Sequence, residues 1–233
     1  MQEEGKVRRA HTYQSAGVYR IKVEKKKNFG ETVILFGENK DNIAVNPSKY
    51  IIDVDFSYDI VTTNAYAFFN TSISNLRLTP YMTSIASAAF ESNNLLTSLV
   101  IPEGISSIDS YAFESCSNIE TITFPTTLTS IRSTAFGNCS SLRKAIGFGD
   151  TKVTTMGDDV FISCLNLEEI ILPETLRSMG SNIRGCVFRY DSSLKHVVIK
   201  SSILNVMGPG TFGGCSSLKS AGPLGSRANI EFA

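Results

Sequence analysis

The 233-residue sequence contains no tryptophan, only two histidines and no excess of either charge. Its 22 basic and 22 acidic residues cancel, and no basic stripe provides the electrostatic surface that nucleic acid requires. No apolar run reaches the roughly 20 residues that span a bilayer, so we expect no membrane insertion. The first residues, Met1-Gln2-Glu3-Glu4, lack an apolar segment, so no secretory signal peptide is predicted in this chain.

Recognisable catalytic and metal-binding patterns are also missing from the sequence. Neither His11 nor His196 has a nucleophile and an orienting group at a catalytic spacing. The glycines within residues 208–214 lack the lysine and the strand-loop-helix context of a phosphate-binding loop. Asp158-Asp159 is a lone acidic pair, which is typical of a solvated turn. We therefore predict a non-enzymatic protein that uses no cofactor and no metal.

What the sequence does contain is a regular series of phenylalanines. They recur at intervals of 22, 23, 23, 25, 27 and 24 residues: Phe68, Phe90, Phe113, Phe136, Phe161, Phe188 and Phe212. Repetition at this period indicates stacked supersecondary units, because each unit is too small to bury its own apolar face. Such an architecture offers an extended surface and implies no central pocket.

The content of one repeat can be read from positions counted from its phenylalanine. A cysteine falls at +3, an aliphatic residue at +6, apolar residues at +9 and +11, proline at +12, and aliphatic residues near +15 and +18. The alternation at +9 and +11 is that of a strand with one buried face. Proline has no N–H to donate, so it ends that strand. Strands from similar short units should align as a parallel ladder.

The motif Ala-Phe-x-x-Cys-x-x-Leu, followed by an Ile-x-Ile-Pro-like strand such as Leu99-Val100-Ile101-Pro102, resembles the BspA-like leucine-rich repeats of bacterial and protist surface proteins. The resemblance covers about residues 51–221 and implies a β-rich, right-handed leucine-rich-repeat solenoid of about seven units with a parallel β-ladder. Some repeats depart from the motif. Asn93 and Asp191 replace the cysteine, Gly147 and Lys200 interrupt the strand pattern, and an insertion predicts a bulge near residues 180–190.

Five cysteines leave disulfides, a metal site and structural thiols as alternatives. Four of them share position +3: Cys116, Cys139, Cys164 and Cys215. They should therefore lie in line along the stack, whereas a metal needs ligands that converge. Since buried cysteine behaves as a small hydrophobic residue, we interpret these four as structural. Cys186 is out of register, and we expect it to be the exposed and reactive thiol.

The 50 residues before the repeats do not follow the period. The stretch from His11 to Val23 alternates apolar and polar residues after a glycine, which predicts a strand of a β-hairpin. Its Tyr-x-x-x-Gly-x-Tyr-x-Ile pattern resembles the end of a polycystic-kidney-disease-type immunoglobulin-like domain. Residues 1–50 are thus predicted to be a β-hairpin cap or part of such a domain. Residues 51–221 are the predicted solenoid and residues 222–233 a C-terminal tail.

The outward positions of the predicted strands are the candidate binding surface. Position +10 carries a β-branched column: Val100, Thr123, Ile146, Ile171 and Val198. Position +8 carries a polar column: Ser98, Thr121, Lys144, Glu169 and His196. An exposed apolar stripe rimmed by polar groups marks a partner site, but strand propensity alone also favours Val, Ile and Thr. Ile171→Lys should separate these readings, because it abolishes binding at a surface position and folding at a core position.

Two functions fit this interpretation. The family resemblance implies an adhesion module of a bacterial cell surface, extracellular, with a protein or glycan ligand on the sheet face. The alternative is a structural or host-attachment component of a phage virion, a role that repeat and immunoglobulin-like domains also serve. The sequence specifies neither the ligand nor the oligomeric state.

Overall fold

A computed structural model describes residues 19–23, 51–56, 62–181 and 185–222 of the chain. Within these ranges the regular structure consists of short strands and one 3-10 turn, Phe148–Asp150. The strands are β1 (Tyr19–Val23), β2 (Ile51–Phe56), β3 (Asn75–Arg77), β4 (Ser84–Ile85), β5 (Ser98–Val100), β6 (Ser107–Ile108), β7 (Thr121–Thr123), β8 (Ser130–Ile131), β9 (Lys144–Ile146), β10 (Thr155–Met156), β11 (Glu169–Leu172), β12 (Ser178–Met179), β13 (His196–Ile199), β14 (Val206–Met207) and β15 (Ser220–Gly222).

Strand pairing in this part of the chain is parallel throughout, and it confirms the predicted solenoid with its parallel ladder. The longer strand of each repeat belongs to one of three sheets with the orders β1-β2-β3, β5-β7-β9 and β11-β13-β15, which together we call the first ladder. The two-residue strands form a separate, continuous sheet with the order β14-β12-β10-β8-β6-β4, which we call the second ladder. The two-residue strands thus tie successive repeats together without a break, and the longer strands add hydrogen bonds within each of their three sheets.

The recurring phenylalanines form one column through the core. Neighbouring rings have centroids 5.3 to 5.8 Å apart and planes within 12° of parallel along the whole series from Phe68 to Phe212. Six of the seven rings are completely buried, and Phe212, in the last repeat, is partly exposed. Stacked aromatic pairs contribute about 0.5–1.5 kcal/mol each beyond the area that they bury.

Left-handed backbone conformations close the corner that carries each phenylalanine. Among the described residues, all non-glycine residues with positive φ lie two positions before or after a stacked ring: Tyr66, Asn70, Ala88, Ser92, Tyr111, Ser115, Thr134, Asn138, Asp159, Ser163 and Tyr190. This conformation costs a residue with a side chain roughly 1–2 kcal/mol. It is offset by bonds to the next repeat, such as the one from the Phe68 N–H to the Ala89 carbonyl at 2.7 Å.

The first ladder is interrupted where a repeat changes length close to its strand. The repeat of Phe68 lacks one residue before its strand, so β3 begins at +7 and does not pair with β5. After β9 the repeat of Phe136 has extra residues, which Gly147, at φ 75°, turns into the 3-10 turn. Phe148 of this turn enters the core and packs edge-on against the rings of Phe124 and Phe161. β9 and β11 consequently belong to different sheets.

The N-terminal predictions are only partly open to comparison. β1 pairs in parallel with β2, so the strand that it forms extends the first ladder. A hairpin partner for β1, the immunoglobulin-like pattern upstream of Tyr19, residues 182–184 of the predicted bulge and the tail at 223–233 lie outside the described residues. The boundaries proposed for the three segments of the chain therefore stay predictions.

The cysteines at +3 line the core beside the phenylalanine column. All four are buried, and each thiol donates to the carbonyl of the phenylalanine one repeat earlier, as Cys116 Sγ does to Phe90 O at 3.2 Å. Burial raises the pKa of the Cys116 and Cys215 thiols to about 12 and raises the pKa of the other two in the same direction. Cys186 is half-buried, with its sulfur 3.6 Å from the Pro209 carbonyl oxygen.

Phe136→Ala is expected to lower the free energy of unfolding by about 3–5 kcal/mol, because it removes a buried ring that contacts both neighbouring rings and leaves a cavity. Urea denaturation followed by circular dichroism measures the effect. Leu165→Ala, at an exposed position, serves as the control and should stay within about 0.5 kcal/mol of the parent protein. Equal effects of the two substitutions would show that the column does not hold the stack together.

Labelling of the native protein with a thiol-specific disulfide reagent should modify one of the five free cysteines quickly. Because the thiolate is the reactive species, buried thiols with raised pKa values react only after unfolding. Cys186→Ser should remove the fast phase, and urea should restore reaction of the four buried thiols. Fast labelling that survives Cys186→Ser would place another cysteine at the surface.

Candidate functional site

The structure places the predicted site residues on the outward side of the first ladder. In β5, β7 and β9 the central residue faces inward, and its two neighbours are more exposed. Strand register sets Val100 opposite Thr123 and Thr123 opposite Ile146. The exposed fraction is 62% for Val100 and 48% for Ile146, while Thr123 is half-buried. These three residues form one lateral row across three paired strands, which we call the apolar row.

The polar column at +8 runs beside the apolar row. Ser98 lies opposite Thr121, and Thr121 lies opposite Lys144. In the third sheet Glu169 lies opposite His196. Four of these five side chains are exposed and Thr121 is half-buried, so the row has a polar border along one side.

The predicted +10 column is not continuous, because the 3-10 turn divides it. Ile171 and Val198 are paired across β11 and β13, but Ile146 belongs to the other sheet. A Cβ atom added at Gly149 would lie 2.5 Å from Cγ2 of Ile171, so the turn packs directly on that side chain. Lys200 holds the turn in place, since its Nζ donates to the Gly149 carbonyl at 3.1 Å and pairs with Asp150 at 3.0 Å.

Because the turn packs on Ile171, this residue is less suitable than predicted for testing whether the face binds a partner. Its exposed fraction is 39%, and part of its surface is covered by the turn. A lysine at this position would disturb the packing of the 3-10 turn whether or not the face binds a partner. Val100 and Ile146 are more exposed, so substitutions at these two positions separate binding from folding more cleanly.

Charged pairs border the face at its C-terminal end. Lys195 Nζ lies 2.7 Å from Glu168 Oε2, and this hydrogen bond lowers the pKa of the Glu168 carboxyl. His196 Nδ1 lies 2.9 Å from the hydroxyl of Ser220. The described residues give His196 no carboxylate partner, so this contact lacks the orienting group of a catalytic triad. Exposed pairs of this kind contribute little stability.

Sequence patterns missed the N-terminal end of the same face. Arg77 on β3 lies between two carboxylates of β2: its Nη2 is 2.9 Å from Asp53 Oδ1, and its Nε is 3.4 Å from Asp55 Oδ2. Asp53 is buried, which is rare for an aspartate without a partner. Because β2 precedes the first phenylalanine of the series and β3 begins one residue early, counting from phenylalanines could not find this cluster.

A groove of about 610 Å³ separates this charged cluster from the apolar row. It lies where β3 and β5 fail to pair, and its lining includes Asp55, Phe56, Leu76, Arg77, Val100 and Pro102. The groove thus joins a charged rim to the exposed end of the apolar row.

Other kinds of site find no support in the residues that the structure describes. No group of three His, Cys, Asp or Glu side chains there could hold a metal ion. A search of the same residues for a helix with the length and hydropathy of a membrane span gives none.

Comparisons with solved structures agree with this fold. A leucine rich cell surface protein from Faecalibacterium prausnitzii A2-165 shares 19% identity at a TM-score of 0.51, over 72% of this chain and 52% of that one. The leucine rich repeat protein of T. pallidum shares 23% identity at a TM-score of 0.52, over 67% of this chain and 82% of that one. These likenesses concern the fold alone, and the chain spans about half the length of the Faecalibacterium protein.

Comparison with protein families is more specific than comparison with structures. Among curated proteins none matches the chain significantly. The family model for the BspA type leucine rich repeat region, however, matches residues 47–143 and 144–222 with six copies. These segments cover most of the sequence and contain the stacked phenylalanines, the +3 column and every strand of the two ladders except β1. The chain therefore belongs to the BspA-type leucine-rich-repeat family.

Proposed function

We propose that this chain is a non-enzymatic protein-binding module that acts outside the cell and contacts its partner with the apolar row and its polar border. The observation that carries the proposal is the exposure of Val100 and Ile146 on paired, hydrogen-bonded strands. Apolar patches bordered by polar side chains resemble the core and rim of protein interfaces. Residues on a paired strand are already ordered, so binding costs them less conformational entropy than it costs a loop.

An interface of the usual size would extend beyond the apolar row. A stable interface buries about 800 Å² on each partner, which is more than three side chains provide. Val100, at one end of the apolar row, lines the groove, and beyond β9 at the other end lies β11 with the 3-10 turn packed on it. A ligand that covers the row would therefore also meet the Asp55–Arg77 pair, which adds polar contacts that select among ligands.

Family membership supports an extracellular location. The chain belongs to the BspA-type repeat family, and the Faecalibacterium structure is that of a leucine rich cell surface protein. Within this proposal the finer role is adhesion, with a protein or glycan of another cell or of the extracellular matrix as the ligand. No contact in the described residues favours a phage virion component, which stays a prediction.

Val100→Lys and Ile146→Lys should each weaken binding at least about tenfold, because each places a charge at the centre of a desolvated contact, a cost of about 1.4 kcal/mol or more. The probes are immobilised extracellular-matrix proteins and an array of glycans. Leu165→Lys is the matched control, since Leu165 is an exposed aliphatic residue outside the strands, with an exposed fraction of 42%. It should change affinity less than about twofold.

Thermal unfolding of all three variants accompanies the binding assay and should give midpoints close to that of the parent protein, since the substituted side chains are exposed. Binding that survives both face substitutions, or that falls equally with Leu165→Lys, would contradict the assigned face. If the parent protein bound none of the probes, adhesion to matrix proteins or glycans would be contradicted.

A further inference from the structure

In five of the seven repeats the side chain at +3 donates a hydrogen bond to a carbonyl group of the preceding repeat. Asn93 Nδ2 donates to Phe68 O at 2.8 Å, and Cys215 Sγ donates to Phe188 O at 3.0 Å. The column formed by these positions contains Thr71, Asn93, Cys116, Cys139, Cys164, Asp191 and Cys215. From the second member onward, every member except Asp191 donates a hydrogen bond to the phenylalanine carbonyl one repeat earlier.

Asp191 breaks this series in a specific way. Its side chain is completely buried, and its Oδ1 accepts the backbone N–H of Cys164 at 2.8 Å. Its Oδ2 is buried without a hydrogen-bond partner, and it is the one such side-chain atom in the described part of the chain. By analogy with the other members of the column, Asp191 should donate to the carbonyl oxygen of Phe161. That oxygen accepts the Cys164 N–H at 3.2 Å and, within the described residues, receives no hydrogen bond from a side chain.

A single proton on the Asp191 carboxyl would give a hydrogen-bond partner both to its Oδ2 and to the carbonyl oxygen of Phe161. A carboxylate only accepts hydrogen bonds, so an ionised Asp191 cannot repeat what the thiols and Asn93 do. A carboxylic acid has one O–H donor, and a proton on Oδ2 supplies the donor that Phe161 O lacks. A buried polar atom left unsatisfied costs about 1–3 kcal/mol, and more when it is charged, so the protonated form is favoured on hydrogen bonding alone.

We propose that Asp191 is held as a neutral carboxylic acid whose O–H group donates a hydrogen bond to the carbonyl oxygen of Phe161, so that protonation tightens the junction between the repeats of Phe161 and Phe188 and loss of the proton loosens it. This inference concerns the scaffold and is independent of the proposed function.

The charges around Asp191 agree with the neutral form. Burial raises the pKa of its carboxyl to about 9, although the N–H of Cys164 works in the opposite direction. The titratable groups that face it are the thiols of Cys164 and Cys215, whose own pKa values are raised by burial and by Asp191. The nearest described cation in sequence, Arg189, lies 4.6 Å over the ring of Tyr190 and so leaves the carboxyl unpaired.

The direction of the pH effect follows from linkage. The folded-state pKa, about 9, lies above the ordinary value of 3.8, so between these values the folded chain holds one more proton than the unfolded chain. The stability that Asp191 contributes is therefore fully present below pH 3.8 and is lost as the pH rises through about 9. Within this window one proton changes the unfolding equilibrium constant about tenfold per pH unit.

Asp191→Asn tests the proposal, with chemical denaturation measured from pH 5 to about 8.5, inside the window set by the linkage relation. Asparagine can donate to Phe161 O, as Asn93 donates to Phe68 O, and its amide oxygen can still accept the N–H of Cys164. The ratio of parent to variant unfolding constants should rise about tenfold per pH unit. Glu174→Gln removes an exposed negative charge, and its stability profile should run parallel to that of the parent protein.

Two further measurements keep the test decisive. Asp191→Cys installs the residue found in four equivalent positions and should remove the pH dependence as Asp191→Asn does. Infrared difference spectra at neutral pH should contain a carboxylic acid C=O band in the parent protein and in Glu174→Gln, but not in Asp191→Asn. A missing acid band in the parent protein, parallel profiles for the parent and Asp191→Asn, or an unfolded Asp191→Asn would each overturn the proposal.

Discussion

Parallel stacking of one phenylalanine ring on the next is the interaction on which the rest of this solenoid depends. The rings repeat at 5.3 to 5.8 Å, close to the roughly 4.8 Å between hydrogen-bonded strands. A single spacing therefore satisfies the aromatic column and both ladders at once. Left-handed residues, on both sides of every ring except Phe188, let the corner form hydrogen bonds at that same spacing.

Changes in repeat length disturb this spacing only where they fall next to a strand of the first ladder. The residue missing before β3 opens the groove, and the residues added after β9 produce the 3-10 turn. The repeat of Phe161 is longer still, with 27 residues to the next ring, yet β11 and β13 remain paired over four residues. Its extra residues follow β12, in a connection that can lengthen at little cost.

The sequence predicted the repeated core well because burial recurs there with a fixed period. Phe136 and Cys139 are buried at the expected positions, and the inward residues of β5 and β7 alternate as expected. The second ladder has strands of two residues, which are too short for alternation to be visible in a sequence. Counting positions could not reveal that the 3-10 turn covers Ile171, because a contact between a repeat and an insertion in the preceding repeat does not recur with the period.

Departures from the repeat were visible in the sequence, but their consequences were not. Asp191 appeared beside Asn93 as a replacement for cysteine, and although both side chains are buried, only Asp191 has an unpartnered oxygen. The candidate face was similarly ambiguous. The pattern assigned Val100 and Ile146 to outward positions, while their degree of exposure depends on strand register and on what the neighbouring turns cover.

The central claim is that an aromatic column holds rigid repeats whose outward strands meet a partner. Hydrogen exchange read by mass spectrometry, with and without the tightest-binding probe from the panel of matrix proteins and glycans, tests it most directly. The account predicts slow exchange in the free protein for β5, β7 and β9, and added protection on binding confined to these strands and to the edge of the groove. Protection that appears instead at the phenylalanine corners would contradict it.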